Sequence, residues 1–296
     1  MKHILLTGAN GFLGSHLLEA LLNESYRVTI LKRSTSNTWR IDHLMGKVSA
    51  YDVDRVALDE AFIDKKVDVV IHTACTYGRD KETTSDILNT NLVFGVKLLE
   101  ASIENSVGKF INTDTFFSGK FISNHLFDYS LSKRQFNEWL KNKSSIIKTI
   151  NLRLQHVYGP KDNSGKFVPW LIDNIVRKDG NIQLTSGTQR RDFIYVTDAV
   201  NAYISAISYN LTGSSYLDID VGTGEKTELR VFIETIYEEI QRRMPIKSRL
   251  GFGDIEKSNG EIEEIECDIE KLQRLGWVQR YTIVDGISEM LSKEGY

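Results

Sequence analysis

A loop with three glycines, Thr7-Gly8-Ala9-Asn10-Gly11-Phe12-Leu13-Gly14, constrains this chain more than any other feature in it. It stands between an apolar run of strand length, His3 to Leu6, and an amphipathic segment of helical period, Gly11 to Leu22. The first glycine permits a tight turn out of a strand. The second lets backbone approach a pyrophosphate, and the third lets helix pack closely on strand. The helix then presents its unsatisfied N–H groups and the positive end of its dipole to the phosphates. Alone such a pattern is weak, but a strand before it and a helix after it make a dinucleotide site the expected reading. Gly8, Asn10, Gly11, Phe12, Leu13 and Gly14 are the candidate cofactor-binding residues of the loop.

The alternation continues beyond the loop. Arg27–Leu31, Lys47–Tyr51, Val67–His72, Lys109–Thr113 and Lys148–Leu154 read as strands, and Ile87–Ile103 and Tyr129–Lys141 as helices. Strands separated by helices imply a parallel sheet covered on both faces. The expected fold class is therefore α/β, a Rossmann-type doubly wound parallel sheet. A smaller, interleaved C-terminal substrate-binding domain accompanies it. After Gly159-Pro160 the regularity loosens, and Tyr216–Ile219 could return to the sheet as a late strand. The expected division is 1–160 plus about 192–222 for the nucleotide domain, and 161–191 with 223–296 for the appended one.

Bulk properties narrow the function. At 296 residues, 41% hydrophobic and 26% charged, the chain suits one large α/β domain with an appendage and not disorder. A net charge of −3 gives no reason to expect nucleic acid or a membrane surface as partner. The only cysteines, Cys75 and Cys267, are far apart, and His3, His16, His43, His72, His125 and His156 are scattered, so no metal site is expected. The N-terminus reads as strand and helix without a secretory signal or membrane span, which makes a cytoplasmic location the expectation.

The second strand decides the cofactor. Enzymes selecting NAD usually place a carboxylate at its end for the ribose 2′-hydroxyl. Here Lys32, Arg33 and Ser34 follow, two cations and a hydroxyl suited to a 2′-phosphate. A solvated basic loop is the plain alternative. NADP(H) is expected, with NAD(H) left open.

Tyr129-Ser130-Leu131-Ser132-Lys133 sets a phenol and an ammonium one helical turn apart on one face. A free phenol titrates near pH ~10, too high for efficient exchange near neutrality. An adjacent ammonium and the charge of oxidised nicotinamide are expected to lower that value, so that Tyr129 can protonate a carbonyl oxygen as hydride reaches its carbon.

With TGANGFLG and YSLSK stand further segments: YDVD at 51–54, His72-Thr73-Ala74, NTNLVFGVKLLEA at 89–101, NLRLQHVYGP at 151–160, QRRDFIYVTDAV at 189–200, VGTGEKT at 221–227 and CDIEKLQRLGW at 267–277. Through these the chain resembles, nearly end to end, the extended short-chain dehydrogenase/reductase family of nucleotide-sugar epimerases, dehydratases and 4-ketoreductases. The resemblance implies that Asp52 and Val53 contact adenine, that Thr73 and Ala74 lie along the cofactor, and that Leu154 and Gln155 lie near the nicotinamide. It implies that Tyr77, His156 and Arg191 face the substrate, with Arg191 on its diphosphate. A structural ion pair with Asp192 is the alternative for Arg191, and a satisfied buried ring that for His156. It further implies a homodimer through the helices at 87–103 and 129–141, with ordinary core packing as the alternative for their apolar faces.

The family supplies a third catalytic group, a hydroxyl at the end of the fifth strand. Aligned from the strand it is Thr115, the preferred choice; aligned on the Thr-Asp pair it is Thr113. The stretch from there to Tyr129 is shorter than is usual in the family. Dehydratases follow Thr-Asp with Glu, and Thr115 stands there instead. FINTDTFF with YSLSKRQF particularly resembles the CDP-linked dideoxysugar 4-ketoreductases, the abequose and paratose synthases. The resemblance implies NADPH-dependent reduction of the C4 ketone of a CDP-4-keto-3,6-dideoxyhexose for surface polysaccharide. An NAD-dependent nucleotide-sugar 4-epimerase or 4,6-dehydratase is the alternative within the class. A non-catalytic dinucleotide-binding regulator is the alternative outside it.

Overall fold

Apolar runs flanked by helices form a buried sheet because every face of each strand is covered, which leaves the backbone ladder to satisfy their polar groups. The computed structural model describes residues 1–63, 66–78, 82–119, 126–257 and 262–296. Residues 120–125, including His125, hold part of the expected shortening before Tyr129 and lie outside the described residues. The chain divides into two compact units, 1–154 with 200–220 and 271–277, and 155–199 with 221–270 and 278–296.

In the first unit β1 (His3–Thr7), β2 (Arg27–Lys32), β3 (Ser49–Asp52), β4 (Val69–His72), β5 (Lys109–Thr115) and β6 (Lys148–Leu154) join a strand at Tyr216–Val221 in one seven-stranded sheet. Its order is 216–221, β6, β5, β4, β1, β2, β3, and β1 through β6 pair in parallel. The expected doubly wound sheet is thus present. The order reverses between β1 and β4, and open α/β sheets bind ligands at such a reversal, beyond the carboxyl ends of the strands.

α1 (Phe12–Asn23) follows the glycine loop, and α2 (Glu60–Ile63) precedes β4. The expected single helix at 87–103 is instead three pieces: α3 (Thr84–Leu88), a π turn at Asn89–Val93, and α4 (Phe94–Glu104). It also starts earlier, because Thr83 and Asp86 form a capping box. α5 (Phe127–Lys143) begins two residues before the expected Tyr129. α4 and α5 approach closely at Gly95, where a Cβ would come within 2.9 Å of the Phe136 ring. Phe110 and Phe136 are fully buried in this core, and each contributes about 1.5–3 kcal/mol.

Among the described residues, the second unit has only two-stranded sheets. His156–Tyr158 pairs in parallel with Phe193–Tyr195, Arg190–Arg191 with Thr227–Glu228, and Gly180–Leu184 with Ser248–Phe252. These pairs correct the expected boundaries. Residues 155–160 and 192–199 belong here, because the His156 amide already bonds Asp192 as soon as β6 has ended. Residues 271–277, expected in the appended domain, return to the first unit, where Lys271 Nζ donates to the Asp218 carbonyl at 3.3 Å. Among the described residues no helix is long and apolar enough to cross a membrane.

Candidate active site

The glycine loop and the residues after β4 meet at the sheet reversal. Gly8 has φ +71°, and a Cβ there would lie 2.6 Å from Thr73 Oγ1 and 2.7 Å from the Ala74 amide nitrogen. A Cβ on Gly14 would lie 2.0 Å from the Gly8 carbonyl oxygen. Gly11 caps α1 without a side-chain bond, so no side chain fills the space before the helix's opening amides. This cradle fits a pyrophosphate for the reason the sequence gives.

A residue without an assigned role from sequence holds the cradle. Thr73 and Ala74 both donate backbone N–H groups to Thr7 Oγ1 at 3.2 Å. That hydroxyl is left to donate to His72 Nδ1 at 2.8 Å, which puts the ring hydrogen on Nε2. Phe94, Phe110 and Phe136 surround the imidazole. Burial first, then the Lys133 charge, lower its pKa to about 3, so the ring is neutral. The signal in the sequence was a histidine closing an apolar strand.

The cations beyond β2 are not equivalent. Lys32 Nζ is paired with Asp52 Oδ1 at 2.5 Å, which joins two residues expected in separate roles. Ser34 donates its amide and its hydroxyl to the Asp54 carboxylate at 2.7 and 2.6 Å. Arg33 is exposed, and its guanidinium has no partner among the described residues. Arg40 stacks on Trp39 and donates to the Asn10 carbonyl at 3.4 Å, closing this loop over the glycines.

On α5, Tyr129 and Lys133 are both buried. The Thr115 hydroxyl accepts from the Phe117 N–H at 3.3 Å and favours the Tyr129 phenolate, whereas Thr113 Oγ1 is paired with Tyr203 OH at 2.7 Å. Lys133 Nζ donates to the Thr113 carbonyl at 2.9 Å. Tyr77 packs on Tyr129 with ring centroids 4.8 Å apart. The expected lowering of the phenol's pKa is corrected here. Burial, with Cys75 and Asp114 adding to it and Thr115 opposing, holds it well above the ordinary phenol value. Removing water penalises the phenolate more than the Thr115 hydroxyl favours it.

Asp114 points into a different set of partners. Its carboxylate accepts from the Thr115 amide at 2.7 Å, Ser118 Oγ at 3.0 Å and Asn151 Nδ2 at 2.8 Å. Asn151 also bridges to Asn112 and Asp218. Burial raises the Asp114 pKa above the usual carboxylate value.

In the second unit, His156 packs against Phe193, and its pKa is lowered to about 3 by burial and then by Arg191. Arg191 donates to the carbonyls of Arg190 and Glu263 at 2.8 and 3.3 Å. Asp192, its alternative partner, accepts from Thr223 N and Oγ1 and from Gly224 N at 2.8–2.9 Å. Gln155 is buried, and neither polar atom of its amide has a partner among the described residues. Leu154 ends β6 in the first unit.

Comparison with known proteins accords with this geometry. The pattern of the NAD dependent epimerase/dehydratase family matches residues 4–222. CDP-abequose synthase of Salmonella muenchen is 32% identical, over 98% of this chain and 97% of the relative. That of Salmonella typhimurium is also 32% identical, over 99% and 98%. Among solved structures, UDP-glucuronic acid 4-epimerase from Bacillus cereus, in complex with UDP-glucuronic acid and NAD, superposes with a TM-score of 0.81. It is 24% identical and covers 99% of this chain and 100% of that one.

Proposed function

The chain belongs to the NAD dependent epimerase/dehydratase family and is an oxidoreductase-type enzyme, and from that premise we propose that it reduces the C4 ketone of a nucleotide-linked 4-keto-deoxyhexose. The favoured substrate is CDP-4-keto-3,6-dideoxyglucose, on the route to O-antigen and surface polysaccharide. The full-length likeness to CDP-abequose synthases supports that choice. We place the enzyme in the cytoplasm as a homodimer.

One observation carries the reading. Tyr129 keeps its phenol protonated beside the Thr115 hydroxyl, while the carboxylate in that strand, Asp114, is committed to Asn151, Ser118 and the Thr115 amide. Reduction of a ketone needs one proton donor at the carbonyl oxygen, which a buried phenol supplies. Elimination of water needs an acid and a base, and β5 offers no uncommitted carboxylate.

When bound, the reduced nicotinamide supplies the hydride. Tyr129 gives its proton to the oxygen that receives the electron pair of the C=O bond, and Thr115 hydrogen-bonds that oxygen. Lys133, held by the Thr113 carbonyl, steadies the phenolate left behind until a proton returns from solvent. Gly8, Gly11 and Gly14 hold the pyrophosphate, Asp52 and Val53 the adenine, and Thr73 and Ala74 the face of the cofactor. Arg33 and Ser34 take the 2′-phosphate of NADPH. Tyr77, His156 and Arg191 meet the substrate. The Lys32–Asp52 pair favours a second reading of the cofactor alone, NAD, since it leaves Arg33 as the cation beyond β2 without a partner among the described residues.

The test is purified protein with a panel of nucleotide 4-ketosugars, followed by loss of NADPH absorbance and NMR of the product's C4 configuration. The proposal expects stoichiometric NADPH loss and one alcohol epimer. Protein that leaves NADPH unconsumed yet interconverts hydroxyl epimers of a nucleotide hexose would overturn it.

A further inference from the structure

A buried carboxamide without hydrogen bonds costs free energy, and either ordered water or a ligand supplies what the chain withholds. Gln155 is 5% exposed, and neither Nε2 nor Oε1 has a partner among the described residues. The rest of the residue is fixed. Its backbone N–H donates to the Val221 carbonyl at 2.9 Å, and that of His156 donates to the Asp192 carbonyl at 3.0 Å. Its stem packs so closely on Gly222 that a Cβ there would come within 2.8 Å of Gln155 Cγ. The same Cβ would lie 2.5 Å from Asp192 Oδ2, so a carboxylate stands beside the stem. That carboxylate is already taken up by Thr223 N and Oγ1 and by Gly224 N. The head of Gln155 is thus held in place with its hydrogen-bonding capacity unspent, as a site pre-organised for a polar ligand requires.

A carboxamide offers an acceptor and a donor side by side in one plane. Its complement is a hydroxyl beside an ester oxygen, the first giving a hydrogen to Oε1 and the second taking one from Nε2. A 4-keto-3,6-dideoxyhexose joined to its nucleotide through C1 has one hydroxyl on the ring, at C2. The neighbouring oxygen is the anomeric one, which belongs to the diphosphate ester. Gln155 is placed for that edge of the sugar. It directly precedes His156, which pairs in register with Phe193, so it stands opposite Asp192, the residue after Arg191. All of these lie in the second unit.

We propose that Gln155 is a specificity-determining residue: its carboxamide binds the C2 hydroxyl and the anomeric oxygen, and so selects ketosugars that keep a hydroxyl at C2. This rests on the ketosugar reading above. A site built to bond a substrate hydroxyl rejects the analogue without it, because its own buried polar atoms are then left unpaired.

The experiment compares the parent with Gln155→Met and Gln155→Leu in the full chain, on CDP-4-keto-3,6-dideoxyglucose and on its 2-deoxy analogue. It measures kcat/KM for each sugar, KM for NADPH, and thermal melting. Methionine keeps the unbranched stem against Gly222 and loses the amide. The parent should use the analogue at least about tenfold less efficiently than the ketosugar. Both variants should lose about tenfold on the ketosugar and nothing further on the analogue, since hydroxyl and carboxamide are two ends of one interaction. KM for NADPH should change less than about threefold, and the variants should melt no lower than the parent, because an unpaired amide gives way to apolar atoms. Folded variants within twofold of the parent on the ketosugar overturn the proposal and leave ordered water as the partner of the amide. A loss confined to the KM for NADPH overturns it as well. If neither variant folds, the parent decides alone, and equal kcat/KM on the two sugars overturns it. A parent that consumes no NADPH with any ketosugar sinks the ketosugar reading and this one with it, whereas normal reduction with both Gln155 variants unaffected sinks only this one.

Discussion

The two units solve the same problem, satisfying buried backbone, by different means. In the first, a parallel ladder runs through seven strands, and its side-chain bonds are additions to a frame already fixed. In the second, sheets are two-stranded and loops are held by single carboxylates. Asp192 gathers Thr223 and Gly224, and fully buried Asp198 accepts from the Arg280 and Tyr281 amides at 2.9–3.2 Å. Aromatic stacking adds to this, with Phe193 and Phe232 parallel at 3.8 Å. A frame built on the backbone keeps its geometry when one side chain changes. A unit tied by side chains can vary its shape residue by residue, and is correspondingly easy to break.

The largest effect expected lies in the first unit and concerns chemistry alone. Tyr129→Phe should lower kcat by about 10²–10⁴-fold, the usual worth of a positioned acid, while NADPH titration is unchanged. A non-catalytic binder would lose nothing. Thr115→Val should lose more than about tenfold and Thr113→Val less than about threefold, since the Thr113 hydroxyl is already paired with Tyr203. Equal losses, or the reverse order, would return the third catalytic role to Thr113.

Stability should divide the opposite way. Asp198→Ala leaves two part-buried amides without their acceptor and should cost about 2–3 kcal/mol in denaturant unfolding. Thr113→Val, which removes one hydroxyl pair from a strand still held by its ladder, should cost about 1 kcal/mol. If the two cost the same, the contrast between the units does not hold.

Acid should weaken both. His72 and His156 have pKa values lowered to about 3, so below about pH 6.5 the unfolded chain binds protons that the folded chain refuses. Stability is then lost as pH falls through that window, by about 2 kcal/mol per histidine at pH 5. Asp114 and Asp192, raised by burial, bind protons more readily folded and oppose part of this loss. Melting temperature should fall between pH 7.5 and pH 5, less so in His156→Gln. A flat profile in the parent would contradict the buried neutral rings.

The smallest effect concerns the cofactor. Arg33→Ala should reduce the preference for NADPH over NADH by about tenfold, roughly 1.4 kcal/mol. Lys32→Ala should change it less, because that ammonium is already bound to Asp52. The outcome decides between the two cofactor readings.

Much of the first unit was legible from residues in order. The glycine loop, the strands and the Tyr129–Lys133 spacing are local patterns: periodicity of 2 or 3.6 and the steric needs of a turn determine them without any distant partner. What depended on packing was not legible. The sequence offered Thr113 and Thr115 two residues apart and could not say which meets Tyr129. It offered Lys32 and Asp52 as separate ligands, where the sheet sets β2 beside β3 and pairs them. It suggested a lowered phenol pKa, because charge can be counted along a chain whereas burial cannot. The π turn at Asn89–Val93 is invisible to a 3.6 period, and the boundaries of the second unit follow strand pairs between residues distant in the chain, such as His156 with Phe193 and Gly180 with Ser248. Short-range sterics fix the elements and the cradle; which side chains meet, and how wet they are, only the folded chain decides.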